Sequence, residues 1–196
     1  MVGMTAVFCF IGLITHIYPF YSPDKTEGKA NMAAKAVKYK VFTSILPQEY
    51  FVERIGGNRI EVQALVKPGS SPATYEPTSR QMAALSEAKI FFRIGVPFEN
   101  VFIPKIERAT KGLRIIDTRK GITLLKMKVH HHHDGEHHHD GKHGQHEGCC
   151  SVDGRDPHIW LSPRLVKVQA RTIADALIRT DPLGRRSYET NLAAFL

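Results

Sequence analysis

The stretch Val37 to Val66, VKYKVFTSILPQEYFVERIGGNRIEVQALV, decides the fold. Val37 to Thr43 alternates apolar and polar residues, the period of a strand with one buried face. Ser44-Ile45-Leu46-Pro47 ends that run, Gln48 to Ile55 reads as a helix, and Gly56-Gly57 stops it. Arg59 to Val66 then alternates again as a second strand. The same order repeats downstream. Thr78 to Ala88 reads as a helix, with an N-cap at Thr78 and Met82, Leu85 and Ala88 at helical spacing. Ile90 to Ile94 follows as a short buried strand, Phe98 to Ala109 as a helix and Leu113 to Ile116 as a strand.

Strand and helix in alternation predict βαβ units, and so an α/β fold: a mainly parallel sheet flanked by helices on both faces. Ligands of such sheets sit at the carboxyl ends of the strands, where loops converge. Two loops there are candidates by composition: Lys67 to Pro77, and the long stretch from Lys126 to Asp156. Beyond them, Pro163 to Arg179 predicts an amphipathic helix with Leu165, Val168, Ile173, Ala176 and Leu177 on or near its apolar face. Asp181-Pro182 breaks it, and Arg185 to Leu196 opens another helix.

The chain has 196 residues, 42% of them hydrophobic, enough apolar material for one globular domain and part of a second. The net charge is +8, but Lys and Arg are spread along the sequence without a dense basic tract carrying interleaved aromatics, so no nucleic-acid partner is expected. The cysteines, Cys9, Cys149 and Cys150, form neither a disulfide framework nor a paired CxxC zinc motif. Vicinal cysteines are usually unremarkable, and beside a histidine run soft-metal binding is the alternative reading. Met4 to Tyr18 is an uncharged apolar run, short for a membrane span and suited to a secretory h-region; a buried helix or an uncleaved N-terminal anchor is the alternative reading.

Histidine dominates the second loop. His130 to His146 reads HHHHDGEHHHDGKHGQH, and nine of these residues, His130, His131, His132, His133, His137, His138, His139, His143 and His146, offer imidazole nitrogens for zinc, copper or nickel. A flexible Gly- and Asp-containing loop gathers such ligands in many ways, which predicts several weak accessory sites of low selectivity. His158 is placed differently, in Asp156-Pro157-His158-Ile159-Trp160-Leu161-Ser162-Pro163, between a rigid Asp-Pro turn and apolar residues that fix the backbone before a helix.

The run VFTSILPQEYFVERIGGNRIEVQALVKPGSSPATYEPTSRQMAALSEAKIFFRIGVPFE, a histidine-rich insertion and then DPHIWLSP, in that order, resemble the zinc- and manganese-type solute-binding proteins of bacterial ABC importers, in the zinc-selective branch that carries such a loop. The resemblance covers nearly everything from Val37 to Leu196. It implies two α/β lobes joined by a long helix, with one metal ion held between them by three histidines and a carboxylate. His158 falls on one of these ligands. Where the family carries its first histidine, in a PGxxPHxYEP motif, this chain has Ala73, and a methyl group binds no metal. That leaves a coordination position for water, for Glu76 or for a loop histidine, with Glu76 read as serving the turn. The other ligands belong to a second lobe.

The expected organisation is therefore a signal peptide or anchor with linker over 1–36, an N-terminal lobe over 37–162 with its histidine-rich loop at 128–150, and a helix plus the beginning of the inter-lobe helix over 163–196, truncated before the second lobe. The implied function is an exported, periplasmic protein that captures Zn(II), with Mn(II) or another divalent ion as alternative cargo, and delivers it to an ABC permease and its ATPase. Membrane association would then run through the transporter or an uncleaved N-terminus. Metal storage or metallochaperone action through the loop is the competing class. An enzyme is not expected: HExxH and GxSxG are both absent.

Overall fold

The computed structural model describes residues 38–127 and 154–196. Four strands, β1 (Tyr39–Thr43), β2 (Ile60–Ala64), β3 (Ile90–Arg93) and β4 (Arg114–Asp117), form one sheet in the order β2-β1-β3-β4. All pairs are parallel, with Tyr39 opposite Ile60, Val41 opposite Ile90 and Ile90 opposite Arg114. Helices α1 (Leu46–Gly56), α2 (Ser79–Ser86) and α3 (Phe98–Ala109) make the crossovers, and α4 (Pro163–Thr180) and α5 (Arg185–Phe195) follow. This is the α/β architecture expected from the alternation.

Both faces of the sheet are covered, which explains why Ile90-Phe91-Phe92 of β3 is an unbroken apolar run. Ile90 and Phe92 join Val41, α1 and α4 in one buried cluster; Phe91 points the other way and joins Phe42, Leu85 of α2 and Phe102 and Ile106 of α3 in a second. Edge strand β2 keeps the alternation, with Glu61 and Gln63 exposed between half-buried or buried neighbours.

Helix α1 starts two residues earlier than expected because Pro47 fits the first turn, where its missing N–H has no partner to lose. It stops where Gly57 takes φ +57°, and a Cβ on Gly56 would collide with the Ile60 side chain. The expected N-cap of α2 is present: Thr78 Oγ1 accepts from the Gln81 amide at 3.3 Å and the Thr78 amide donates to Gln81 Oε1 at 3.0 Å. Helix α3 has the expected bounds. In α4, Ile173, Ala176 and Leu177 are buried as expected, whereas Leu165 and Val168 are half-buried and the polar Gln169 is fully buried.

One polar knot locks the carboxyl edge of the sheet. Glu99, fully buried in the first turn of α3, accepts from Ser44 Oγ at 2.6 Å, the Ile94 amide at 2.8 Å, the Gly95 amide at 2.8 Å and Arg93 Nε at 3.1 Å. Gln48 Nε2 donates to Thr118 Oγ1 at 3.0 Å, tying α1 to the end of β4.

A second clamp holds the α4–α5 corner. The Asp181 carboxylate accepts from Arg59 Nε at 2.7 Å and from the Tyr188 hydroxyl at 2.8 Å, and Asn191 Nδ2 donates to the Ile55 carbonyl at 3.0 Å. The hydrogen bond from Arg59 holds the Asp181 carboxyl below its ordinary range against the opposing effect of burial, with Tyr188 adding to it. Burial first, and the Asp181 carboxylate second, push the Tyr188 hydroxyl up to about 12.

Two outcomes follow for folding. Glu99→Ala strips four donors of their shared acceptor and should cost about 3 kcal/mol, seen as a lower urea midpoint at unchanged slope. A carboxylate depressed in the folded state contributes stability that is present above its unfolded value and lost as pH falls through the folded one. Urea midpoints should therefore drop below about pH 4, and Asp181→Asn should flatten part of that drop while being less stable at neutral pH.

Candidate metal site

The segment after β2 and the turn before α4 meet through shared apolar packing. Tyr75, half-buried, sets its ring edge-on to Phe98 at 5.4 Å, and its hydroxyl donates to Gln81 Oε1 at 2.8 Å. Gln81 Nε2 in turn donates to the Leu65 carbonyl at 2.8 Å, so the α2 capping box also anchors the 67–77 loop to the end of β2. Ala73, Tyr75, Glu76, Phe98, Val101 and Lys105 line a cleft of about 380 Å³ here. Ala73 is half-buried at its wall, with its amide bonded to Ser71 Oγ at 3.2 Å, and Glu76 is exposed. Ile159 is buried in the same apolar cluster as Phe98 and Phe102, and Tyr75 and Trp160 pack against that cluster.

His158 sits on a tightly wound turn. The Ile159 amide donates to the Pro157 carbonyl at 2.7 Å and the Leu161 amide to the His158 carbonyl at 3.2 Å, forming a short 3₁₀ turn over Ile159–Leu161. Gln169 Nε2 donates to the Ile159 carbonyl at 3.3 Å, fastening the turn to α4, and Pro163 opens that helix. The imidazole lies 5.0 Å from the Trp160 ring and retains 34% of its side-chain exposure. Its Nδ1 is 2.6 Å from Asp156 Oδ1, and the same oxygen accepts the His158 amide at 2.9 Å. These two bonds, the backbone one first, hold the Asp156 carboxyl below its ordinary range.

Of the residues singled out in the sequence, the structure places His158 and Ala73 on segments that share one apolar cluster, and leaves Glu76 on the surface of the loop. Among the described residues no group of three His, Cys, Asp or Glu is close enough to hold a metal ion. His130, His131, His132, His133, His137, His138, His139, His143 and His146, with Cys149 and Cys150, lie outside the described residues, as does the apolar run Met4 to Tyr18. Among the described residues no helix is long and apolar enough to cross a membrane. The Asp-Pro sequence predicts a rigid turn, and the bond from Asp156 to the imidazole is an addition of the structure. The signal was there: an Asp two residues ahead of a backbone N–H is the pattern of an Asx turn.

The family model described as zinc-uptake complex component A, periplasmic, matches residues 41–196. Zinc-binding protein AdcA of Streptococcus pyogenes serotype M3 is 26% identical over 185 residues, 94% of this chain and 36% of its own length. Manganese-binding lipoprotein MntA of Halalkalibacterium halodurans is 26% identical over 157 residues, 80% of this chain and 45% of its own. The crystal structure of ZnuA is 42% identical at a TM-score of 0.66, over 81% of this chain and 53% of that one. The chain thus spans between about a third and a half of the length of these relatives. With the model matched from β1 to the last residue of the sequence, the chain belongs to the zinc-uptake complex component A family.

Proposed function

We propose that this chain is the N-terminal lobe of an extracytoplasmic binding protein that captures Zn(II) and hands it to an ABC permease driven by its ATPase. It is a carrier, not an enzyme. The observation that carries this reading is the DPHIWLSP turn: it presents one imidazole at a lobe edge with Nδ1 engaged by a carboxylate and Nε2 left to ligate. Zinc accepts neutral imidazole nitrogen readily, and a site completed by groups from a second lobe opens when the lobes part, which suits delivery rather than storage. The family match supports the transport role. The manganese-binding relative makes Mn(II) the alternative cargo.

Ala73 sets the limit of what this lobe supplies. With a methyl group where the family motif has histidine, His158 is its primary ligand, and α5 is read as the start of the helix leading to the second lobe. The histidine-rich loop collects further ions weakly. The competing reading, storage or metallochaperone action through that loop, draws on Ala73 and on the lack of a three-ligand cluster among the described residues.

Zinc titration of the full-length protein against a chelator of known affinity separates the two. His158→Ala should weaken the tight equivalent beyond the roughly 10–100-fold typical of losing an outer-shell partner; unchanged tight binding would refute the assignment. Deleting 130–146 should remove only weaker equivalents. Loss of every ion on that deletion, with His158→Ala silent, would establish the storage reading instead.

A further inference from the structure

Asp156 does more at this edge than shape a turn. An ionised carboxylate only accepts, so the 2.6 Å approach of Asp156 Oδ1 to His158 Nδ1 requires the proton to be on Nδ1. The lone pair then sits on Nε2, on the far side of the ring. Because the same Oδ1 also takes the His158 amide, carboxylate, backbone and imidazole form one closed unit within three residues. Trp160 stands beside the ring at 5.0 Å and restricts its rotation.

The backbone of Asp156 is itself held from outside the turn. The Asp156 amide donates to the Leu125 carbonyl at 2.8 Å, the Met127 amide donates to the Gly154 carbonyl at 2.9 Å, and Lys126 and Arg155 form an antiparallel bridge between them. These contacts pair the chain on either side of the histidine-rich segment.

We infer that Asp156 is the positioning residue of the metal site: held by the 125–127/154–156 pairing, it fixes His158 as the Nδ1–H tautomer and thereby makes Nε2 the ligating atom. This rests on His158 being a ligand, as proposed above. In consequence the ligand is prepared before any metal arrives, by residues of this lobe alone.

The test reads the metal-free protein first. Long-range ¹H–¹⁵N spectra of histidine-labelled full chain at about pH 8, where free imidazole is neutral, give the tautomer of His158, assigned by its loss in His158→Ala. The native chain should show Nδ1–H and an unprotonated Nε2. Asp156→Ala should shift the ring toward Nε2–H, while Asp156→Asn, which keeps an acceptor oxygen, should retain Nδ1–H. Native protein in the Nε2–H form, or Asp156→Ala still in the Nδ1–H form, would overturn the inference. If Asp156→Ala fails to fold, the native spectrum decides: an Nδ1–H ring supports the inference and an Nε2–H ring overturns it.

Zinc competition supplies the second arm. Asp156→Ala should lower affinity roughly 10–100-fold in the native background and have no further effect in a His158→Ala background. A full loss on top of His158→Ala means Asp156 acts elsewhere and overturns the proposal. A silent His158→Ala overturns the function reading and with it the metal-site role of Asp156, whereas an Nε2–H ring in the native protein overturns the role of Asp156 and leaves the function reading standing.

Discussion

Everything at the working edge of this lobe hangs from the buried carboxylate of Glu99. It receives one donor from the residue after β1, two backbone amides from the residues after β3 and the guanidinium of Arg93, and it does so from the first turn of α3. A buried charge without such partners would be expelled or neutralised; with them it pins three chain segments at one point. Arg93 extends the knot toward β4, lying 3.7 Å from Asp117, whose carboxylate is also bound by Arg119. Burial pushes the Asp117 carboxyl up, and the bonds from Arg119 together with the charges of Arg119 and Arg93 outweigh it, so it ends below its ordinary range. The carboxyl ends of β1, β3 and β4 therefore form a rigid rim.

Upon that rim the lobe carries two segments of unequal kind. The 67–77 loop is moored at its ends, through Gln81 to Leu65 and through Tyr75 to Phe98, and it brings the cleft a wall without a donor at Ala73. The 156–163 turn is short, bonded to itself and to α4, and it brings one oriented imidazole. On the reading proposed above, a lobe with one prepared ligand binds zinc weakly alone, because structural zinc sites close with four.

How far the sequence could be read varies with the range of the forces involved. Periodicity placed the strands and helices to within a residue or two, because the pattern of apolar side chains records which face each element buries. Capping at Thr78 and arrest at Gly57 were legible because they are satisfied within a few residues. The burial of Gln169 was not, since a polar residue on an amphipathic helix reads as solvent-facing until the turn carbonyl of Ile159 is seen above it. Likewise the cations look scattered along the chain, yet Arg119, Lys120, Arg155 and Arg179 gather around one groove beside β4.

By itself, then, the sequence determined the α/β alternation, the two candidate loops and the singular position of His158, which are properties of residue identity and near-neighbour spacing; the missing donor at Ala73 is what the family resemblance implies. Only the tertiary structure decided that Glu99 would bind Ser44 across 55 positions and Gln48 would bind Thr118 across 70, and that the chain flanking the histidine-rich segment would hold Asp156 against the His158 ring. The physical reason is that a hydrogen bond requires its partners to be brought within about 3 Å in a set direction. For residues far apart along the chain, that approach is set by the packing of the whole sheet and its helices, which no local pattern encodes.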